Sequence, residues 1–420
     1  MLTRETVGVP GPRARRRRLG AVATGVVALL AAGSLGVHAT VGAEETTSAR
    51  WQPAAHTPEG SAVHSSGPSV APAAPQPAAP EPQPAAPTPQ QRAGQRIIYS
   101  YAGLTPPASL LQHIRNGEAA GVIFFGENVS SATQIASVVQ QLRQAHQQSP
   151  VTAPLLLMTD QEGGQVRRLP GEPAWSEKQI GQSADPAAQA TQAGTGAGQN
   201  LGGVGLNVNL APVLDVYYSA GNFIDRYQRS YSSNATAVGT LGRAFITAQQ
   251  RTGVAATAKH FPGLGAAGRN QNTDTGPVTL SVGLSDLRAR DEVPYAAAIA
   301  GGVRLIMVSW AVYPALDASR PAGLSPTVVQ SELRNRLGYQ GVTVTDALEA
   351  GALNAYGAPR QRAVLAAQAG MDLIVCSARD VTQGEDASAG LANALAGGQL
   401  DPTAFQSAVD RVTALRNALH

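Results

Sequence analysis

Eight short apolar runs, spread between residues 96 and 376, constrain the fold of this chain more than any other feature. Each run is four to eight residues long and rich in Val, Ile, Leu or Ala, which is typical of parallel strands buried on both faces. Stretches with helical spacing, such as 131–147 and 236–253, lie between them. Because strand and helix alternate and eight strands suffice to close a barrel, the sequence predicts an α/β fold with a single (β/α)₈ barrel of the TIM type. The runs read RIIYSY, AGVIFF, LLLMTD, LNVNLAPV, VAATAKHF, LIMVSW, VTVTDA and DLIVC.

Two segments precede the predicted barrel, which is expected to cover residues 96–420. Residues 1–43 combine a basic start with an apolar run that ends in small residues, as export signals do. That run is almost long enough to span a bilayer, so cleavage after Ala43 would release the protein and failure to cleave would leave it anchored. Residues 44–95 are dominated by Pro, Ala, Gln, Ser and Thr and predict a disordered linker.

Charge and cysteine content indicate neither a nucleic-acid-binding protein nor one held together by internal disulfides. The formal net charge is +3, but residues 1–43 hold six arginines and one glutamate, so the remainder of the chain is slightly acidic. Nothing therefore indicates a nucleic-acid partner. The single cysteine, Cys376, cannot form an internal disulfide, and its apolar neighbours predict a buried structural thiol.

Polar residues follow several apolar runs at the points where the strands should end. They are Asp160, Asp215, Lys259 with His260, and Asp346. Active sites of such barrels lie at the carboxyl ends of the strands, so these side chains are expected to converge on one cleft. Any single Asp could instead cap the next helix, but helix capping explains the whole set poorly.

Lys259 indicates a functional site more strongly than the carboxylates do. Lysine occurs only at Lys178 and Lys259, and arginine supplies the other positive side chains. A lysine at the end of a buried strand must find charged or hydrogen-bonding partners, either sugar hydroxyls or a neighbouring carboxylate. A surface lysine is the simpler alternative.

These residues lie in motifs that resemble the N-terminal barrel domain of glycoside hydrolase family 3, especially its single-domain bacterial β-N-acetylglucosaminidases. The resemblance covers essentially all of residues 96–420. Its landmarks are AGVIFFGENV at 120–129, MTDQEGGQVRRLP at 158–170, NLAPVLDV at 209–216, RSYSSN at 229–234, AKHFPGLG at 258–265 and GYQGVTVTDALEAGAL at 338–353.

The resemblance implies a retaining glycosidase whose nucleophile is Asp346, the Asp that follows Thr at the end of the seventh strand. In that chemistry a carboxylate attacks the anomeric carbon, and a proton donor assists the leaving oxygen. Glu349 is expected in the first turn of the following helix rather than in the reaction. Asp215 also lies at a strand end, and its role stays open, a structural one included.

The same resemblance assigns five residues to sugar binding. Arginine and lysine donate hydrogen bonds to hydroxyl groups, and a carboxylate accepts from two at once. The five are Asp160, Arg168, Arg229, Lys259 and His260.

The chain departs from the family pattern in the loop that carries the general acid/base. The acetylglucosaminidases pair an Asp with a His there, whereas Asp274 is followed by Thr275 and Gly276. Leu264 and Trp310 also stand where the pattern has histidines. Trp310 could stack against a sugar ring or plug the barrel mouth.

Three interpretations of the altered loop remain open. Asp274 could act alone as the acid/base with a raised pKa. The leaving group could need little acid assistance, or another nucleophile could replace water. The barrel could also bind glycans without cleaving them. The loop itself, GLGAAGRNQNTDTG, has the composition of a flexible lid.

The resemblance favours terminal β-linked N-acetylhexosamine in cell-wall or chitin fragments as the substrate, with other β-glycosides open. No cofactor is needed for this chemistry, and no metal-ligand spacing is present in the sequence. We expect a secreted or surface-anchored monomer that contacts a membrane only through an uncleaved N-terminal segment. A surface glycan-binding protein is the competing class, and a barrel enzyme for phosphorylated substrates is disfavoured by the absence of a Gly-rich phosphate loop.

Overall fold

Eight parallel strands close into a barrel in the computed structural model, which describes Gly67 and residues 86–419. Each strand pairs with its neighbours in sequence, and the first pairs with the last. All eight apolar runs form strands, so the predicted (β/α)₈ barrel is confirmed. The strands are β1 Ile97–Tyr99, β2 Gly121–Phe124, β3 Leu156–Thr159, β4 Val208–Asn209, β5 Ala255–Phe261, β6 Leu305–Val308, β7 Val342–Ala347 and β8 Leu373–Val375.

Helices connect the strands and cover the outside of the barrel. The α-helices are α1 Pro89–Gly94, α2 Ala108–Arg115, α3 Ala132–His146, α4 Glu177–Gly181, α5 Pro186–Gly203, α6 Phe223–Arg226, α7 Ala235–Gln250, α8 Leu284–Asp286, α9 Val293–Ala300, α10 Pro359–Ala369, α11 Val381–Ala396 and α12 Pro402–Asn417. Two π-helical segments cover Leu287–Asp291 and Thr327–Arg336, and 3₁₀ segments cover Gly126–Asn128, Ala322–Leu324 and Gly351–Tyr356.

Two separate apolar layers hold the barrel together. The inner layer comes from strand side chains such as Ile123, Met158 and Val344, and α12 adds Val412 and Leu415 to it. The outer layer lies between strands and helices and includes the buried thiol of Cys376, as predicted. Because apolar side chains fill the inside of the barrel, the barrel itself leaves space for a ligand only near the ends of its strands.

The folded region begins before the expected boundary at residue 96. Residues 89–94 form α1, which Thr88 and Gln91 close with a capping box, and Ala93 and Gly94 are buried. The last residues assigned to the linker therefore belong to the folded region. The predicted signal, 1–43, and most of the linker lie outside the described residues.

Two hairpins extend the carboxyl ends of strands. Gln161–Gly163 pairs with Val166–Arg167 after β3, and Val312–Tyr313 pairs with Asp317–Pro321 after β6. Within 86–419, no helix is both long and apolar enough to cross a bilayer.

Candidate active site

A cavity of about 520 Å³ lies where the carboxyl ends of the strands meet. Its deeper walls are apolar side chains from the strands, including Ile123, Leu210, Met307 and Val375. The structure brings seven of the predicted site residues to this cavity: Asp160, Arg168, Arg229, Lys259, His260, Asp274 and Asp346.

Lys259 is buried at the centre of an ion-pair network. Its Nζ atom lies 2.7 Å from Asp160 Oδ1 and 2.7 Å from Glu162 Oε1. Arg168 Nη2 lies 3.6 Å from the other oxygen of Asp160. Of the two partners that the sequence left open, the lysine therefore has carboxylates, and it stands in the cavity wall rather than at the surface.

Glu162 connects this network to Arg229, and it was not identified as a site residue from the sequence. Both of its oxygens accept hydrogen bonds from Arg229, from Nε and Nη2, each at 2.8 Å. The DQEGG motif contains the signal that could have identified it. Glu162 follows Asp160 by two residues, and residues two apart in an extended chain point to the same side.

The network keeps its members ionised. Burial alone would lower the pKa of Lys259, but the charges of Asp160 and Glu162 outweigh burial and raise it. Burial likewise opposes ionisation of both carboxyls, yet the pKa of Asp160 is lowered by Lys259 and Arg168, and that of Glu162 by Arg229 and Lys259. Within this network three cations face two anions, so the network itself carries one positive charge in excess.

His260 is oriented by Asp215, the carboxylate whose role the sequence left uncertain. Asp215 is fully buried, and its Oδ2 lies 2.8 Å from His260 Nδ1. Its Oδ1 accepts the backbone N–H groups of His260 at 3.3 Å and Leu264 at 2.7 Å. Asp215 therefore sets the ring orientation and leaves Nε2 as the free nitrogen of His260.

Asp346 stands at the end of β7, half-buried in the cavity wall. Its Oδ1 accepts the backbone N–H of Ala347 at 2.8 Å. The carbonyl of Ala347 accepts hydrogen bonds from Trp310 Nε1 at 2.8 Å and from the N–H of Ala350 at 3.1 Å. These bonds hold the turn that carries the carboxylate.

Trp310 does not line the cavity, so of the two roles that the sequence left open, stacking against a sugar ring does not fit its position. Its side chain is 1% exposed and packs on Gly323, where an added Cβ would lie 2.5 Å from the indole ring. The structure thus favours the plug over sugar binding. The tryptophan here supplies one part-buried hydrogen bond to the backbone beside Asp346.

Asp274 reaches the cavity because its loop is bound to the segment that follows β7. The N–H of Gly351 donates to the carbonyl of Asp274 at 2.9 Å, and that of Ala352 donates to Thr273 at 3.0 Å. A Cβ at Gly351 would lie 2.6 Å from the backbone of Thr275, so this contact requires glycine. The loop thereby brings Asp274 into the cavity that Asp346 lines.

The pKa of Asp274 is raised. Desolvation within the cleft is the larger cause and the negative charge of Asp346 the next, while His260 and Arg229 act in the opposite direction. Part of the Asp274 side chain still reaches solvent, so it can exchange protons with water. When a carboxyl group with a raised pKa lies near an ionised one, the first can act as the acid and the second as the nucleophile.

Glu349 also lines the cavity, in contrast to its expected place in a helix. It lies in the turn between β7 and the next 3₁₀ segment. Its carboxylate accepts from Ser377 Oγ at 2.8 Å and Gln383 Nε2 at 3.3 Å. Glu349 is therefore the fourth carboxylate of the cavity, after Asp160, Asp274 and Asp346. No group of three or more His, Cys, Asp or Glu side chains within 86–419 is arranged to hold a metal ion.

Replacing Glu162 by glutamine is expected to lower the free energy of unfolding by about 3–5 kcal/mol, because Lys259 and Arg229 would lose a buried counter-charge. Denaturant unfolding of the purified chain measures the change. The same variant is expected to bind sugar poorly, since Arg229 would lose the carboxylate that holds it and Lys259 would keep only Asp160.

Glu177→Gln is the matched control for that substitution. Glu177 is buried, accepts the N–H of Val213 at 2.7 Å, and has its pKa raised by burial and by the charge of Glu162. Both effects favour its neutral form, so the free energy of unfolding should fall far less than in Glu162→Gln, by about 1 kcal/mol or less. Equal losses in the two variants would contradict the assigned charge states.

Comparison with known proteins agrees with this architecture. The family model of the glycosyl hydrolase family 3 N terminal domain matches residues 101–415. The chain is 48% identical over 330 residues to an uncharacterized secreted glycosyl hydrolase of Arthroderma benhamiae, covering 78% of this chain and 93% of that protein.

Two solved structures share the barrel. One is a family 3 β-N-acetylglucosaminidase of Paenibacillus sp. str. FPU-7, with a TM-score of 0.73 and 32% identity over 79% of this chain and 62% of its own length. The other is a β-N-acetylhexosaminidase of Beutenbergia cavernae DSM 12333, with a TM-score of 0.71 and 32% identity over 78% of this chain and 98% of its own. This chain thus spans less than two thirds of the Paenibacillus protein. With the fold, the strand-end motifs and the family match in agreement, the chain belongs to glycosyl hydrolase family 3 and is a glycoside hydrolase.

Proposed function

We propose that this chain is an exo-acting, retaining β-N-acetylhexosaminidase with Asp346 as nucleophile and Asp274 as acid/base. The observation that carries the proposal is the presence of both carboxyl groups in one cavity, with the loop of Asp274 bound to the segment after β7. A blind cavity with an apolar base suits the end of a glycan chain better than its middle.

Asp346 would attack the anomeric carbon and form a covalent glycosyl-enzyme. The N–H of Ala347 holds one of its oxygens, which fixes the carboxylate for attack. The glycosidic C–O bond breaks in this step, and the leaving oxygen takes its proton from Asp274. Asp274 then removes a proton from water, which attacks the same carbon and releases Asp346 with the sugar's configuration retained.

Asp274 would act without the histidine partner typical of the family. Its raised pKa supports this role, because a carboxyl group must hold its proton until the leaving oxygen needs it. Asp346 would compensate in part for the missing histidine. Its negative charge favours the protonated form of Asp274 before the glycosyl-enzyme forms.

The terminal sugar would be held by the network around Lys259. Asp160 and His260 offer groups for hydroxyl bonding, and Arg168 and Arg229 add donors. We assign an N-acetylhexosamine from cell-wall or chitin fragments because the compared structures are of a β-N-acetylglucosaminidase and a β-N-acetylhexosaminidase. We also propose that the protein is exported, on the basis of residues 1–43 and the secreted relative.

The test is hydrolysis of 4-nitrophenyl β-N-acetylglucosaminide and 4-nitrophenyl β-glucoside by the purified chain. We expect turnover of both, with the higher kcat/KM for the N-acetylated glycoside. Preference for the glucoside would reject the hexosaminidase assignment and leave the glycosidase in place.

A surface glycan-binding protein is the second candidate, favoured by Leu264, Gly276 and Trp310 in place of the family's histidines. Binding of cell-wall glycan or chitin without turnover of either glycoside would support it. Binding is measured by co-sedimentation with the insoluble polymer, using the same protein preparation.

A further inference from the structure

Arg379 occupies a part of the cavity that the proposed mechanism does not use. It follows β8 and lines the cavity with Phe125, which follows β2. The other cations of the wall, from the β3 to β5 side, are paired with Asp160 and Glu162. The edge formed after β2 and β8 therefore has a separate cation.

The backbone of Arg379 adopts a conformation that is unfavourable for a side chain of its type. Its φ is +59°, and Gln228, next to Arg229, is the other non-glycine residue with positive φ in the described part of the chain. The N–H of Arg379 donates to Ser100 Oγ at 2.8 Å, and Ser100 is fully buried. Such strain persists where the surrounding structure holds it, and it concentrates at functional sites.

The side chain of Arg379 is supported but still available to a ligand. Its guanidinium lies over the Phe125 ring, 4.7 Å from the centroid. Its Nε lies 3.3 Å from Glu127 Oε1 in an ion pair whose side chains are 52% and 44% exposed. Neither Nη atom donates a hydrogen bond to any residue in 86–419, so both can bind a planar anion.

Besides Glu127, which does not line the cavity, this edge has a second carboxylate in Glu349, from the loop after β7, and Glu349 does line the cavity. Its oxygens accept hydrogen bonds from Ser377 and Gln383, which restrict the rotation of its side chain. A ligand at this edge would meet a carboxylate that accepts hydroxyl groups and a guanidinium that binds anions.

We propose that Arg379, supported by Phe125, binds a carboxylate carried by the leaving group of the substrate. The inference rests on the proposed function, in which the terminal sugar occupies the side of the cavity around Lys259. The leaving group must then lie towards the rim, and the edge after β2 and β8 offers it a cation. The enzyme would accordingly prefer glycosides whose leaving group is acidic.

Two fluorogenic substrates test this preference. The β-N-acetylglucosaminides of 4-methylumbelliferone and of 3-carboxyumbelliferone share a coumarin leaving group, and the second bears a carboxylate. We expect Arg379→Gln to lower kcat/KM for the carboxylated glycoside about fivefold more than for the neutral one, since an exposed charge pair contributes up to about 1 kcal/mol. High salt should reduce the difference in the wild type.

Arg167→Gln is the matched control. Arg167 is an exposed arginine of the hairpin after β3, its Nη1 donates to the carbonyl of Gly171 at 2.8 Å, and it does not line the cavity. The ratio of the two kcat/KM values should not change in this variant. An unchanged ratio in Arg379→Gln, with turnover of both substrates by the wild type, would overturn the subsite alone. Absence of turnover in the wild type would overturn the proposed function, and this inference with it.

Discussion

Replacing Asp346 by asparagine is expected to lower kcat for activated and natural glycosides alike by at least about 10⁴-fold, the scale on which loss of a catalytic nucleophile acts in other covalent enzymes. An amide is too weak a nucleophile to form the glycosyl-enzyme. Initial rates on 4-nitrophenyl β-N-acetylglucosaminide measure the loss. Asp410→Asn makes the same chemical change at an exposed position of α12 and should have no effect.

Chemical rescue distinguishes a lost nucleophile from a damaged site. In Asp346→Ala, azide has room to attack the anomeric carbon of the activated β-glycoside. The C–O bond breaks, 4-nitrophenolate leaves, and the product is an α-glycosyl azide. Retention of wild-type rates in Asp346→Asn would instead direct attention to Glu349, the neighbouring carboxylate in the cavity.

Replacing Asp274 by asparagine is expected to lower kcat/KM much more for substrates with a poor leaving group than for those with a good one. A natural disaccharide needs a proton on its leaving oxygen, so its kcat/KM should fall by about 10²–10⁴-fold. The 4-nitrophenyl glycoside leaves without such help, and its kcat/KM should fall only a few-fold. Equal losses on both substrates would exclude Asp274 as the acid.

The pH dependence gives a second readout of the same residue. Asp274 must be protonated to donate, so kcat/KM on the disaccharide should decline as pH rises through its pKa. Because desolvation and the charge of Asp346 raise that pKa, the decline should occur at higher pH than for an ordinary aspartate. It should be absent in Asp274→Asn and present in Asp410→Asn. A decline that survives in Asp274→Asn would assign the acid to another group.

The barrel and most of the site could be predicted from local patterns in the sequence. Strand length, apolar content and alternation with helices depend on neighbouring residues, and all eight strands formed where these patterns placed them. Residues at strand ends converge in any closed parallel barrel, so Asp160, Lys259 and Asp346 could be grouped before their contacts were known. Glu162 could have been added by its two-residue spacing from Asp160.

Long-range contacts decided the rest. The partners of Lys259 lie about a hundred positions away in sequence, and only barrel closure brings them to its Nζ atom. Trp310 is buried because Gly323 leaves room for its ring, and Asp274 enters the cavity because its loop is bound to Gly351. Arg379 is available to a ligand because Ser100 holds its backbone and Phe125 supports its guanidinium. Sequence by itself determined the fold, the strand-end residues and the family motifs, because these are set by local periodicity and short motifs. Tertiary structure alone decided which charges pair, which pKa values shift and which loop enters the cavity, because those depend on distances between segments that the chain order does not specify.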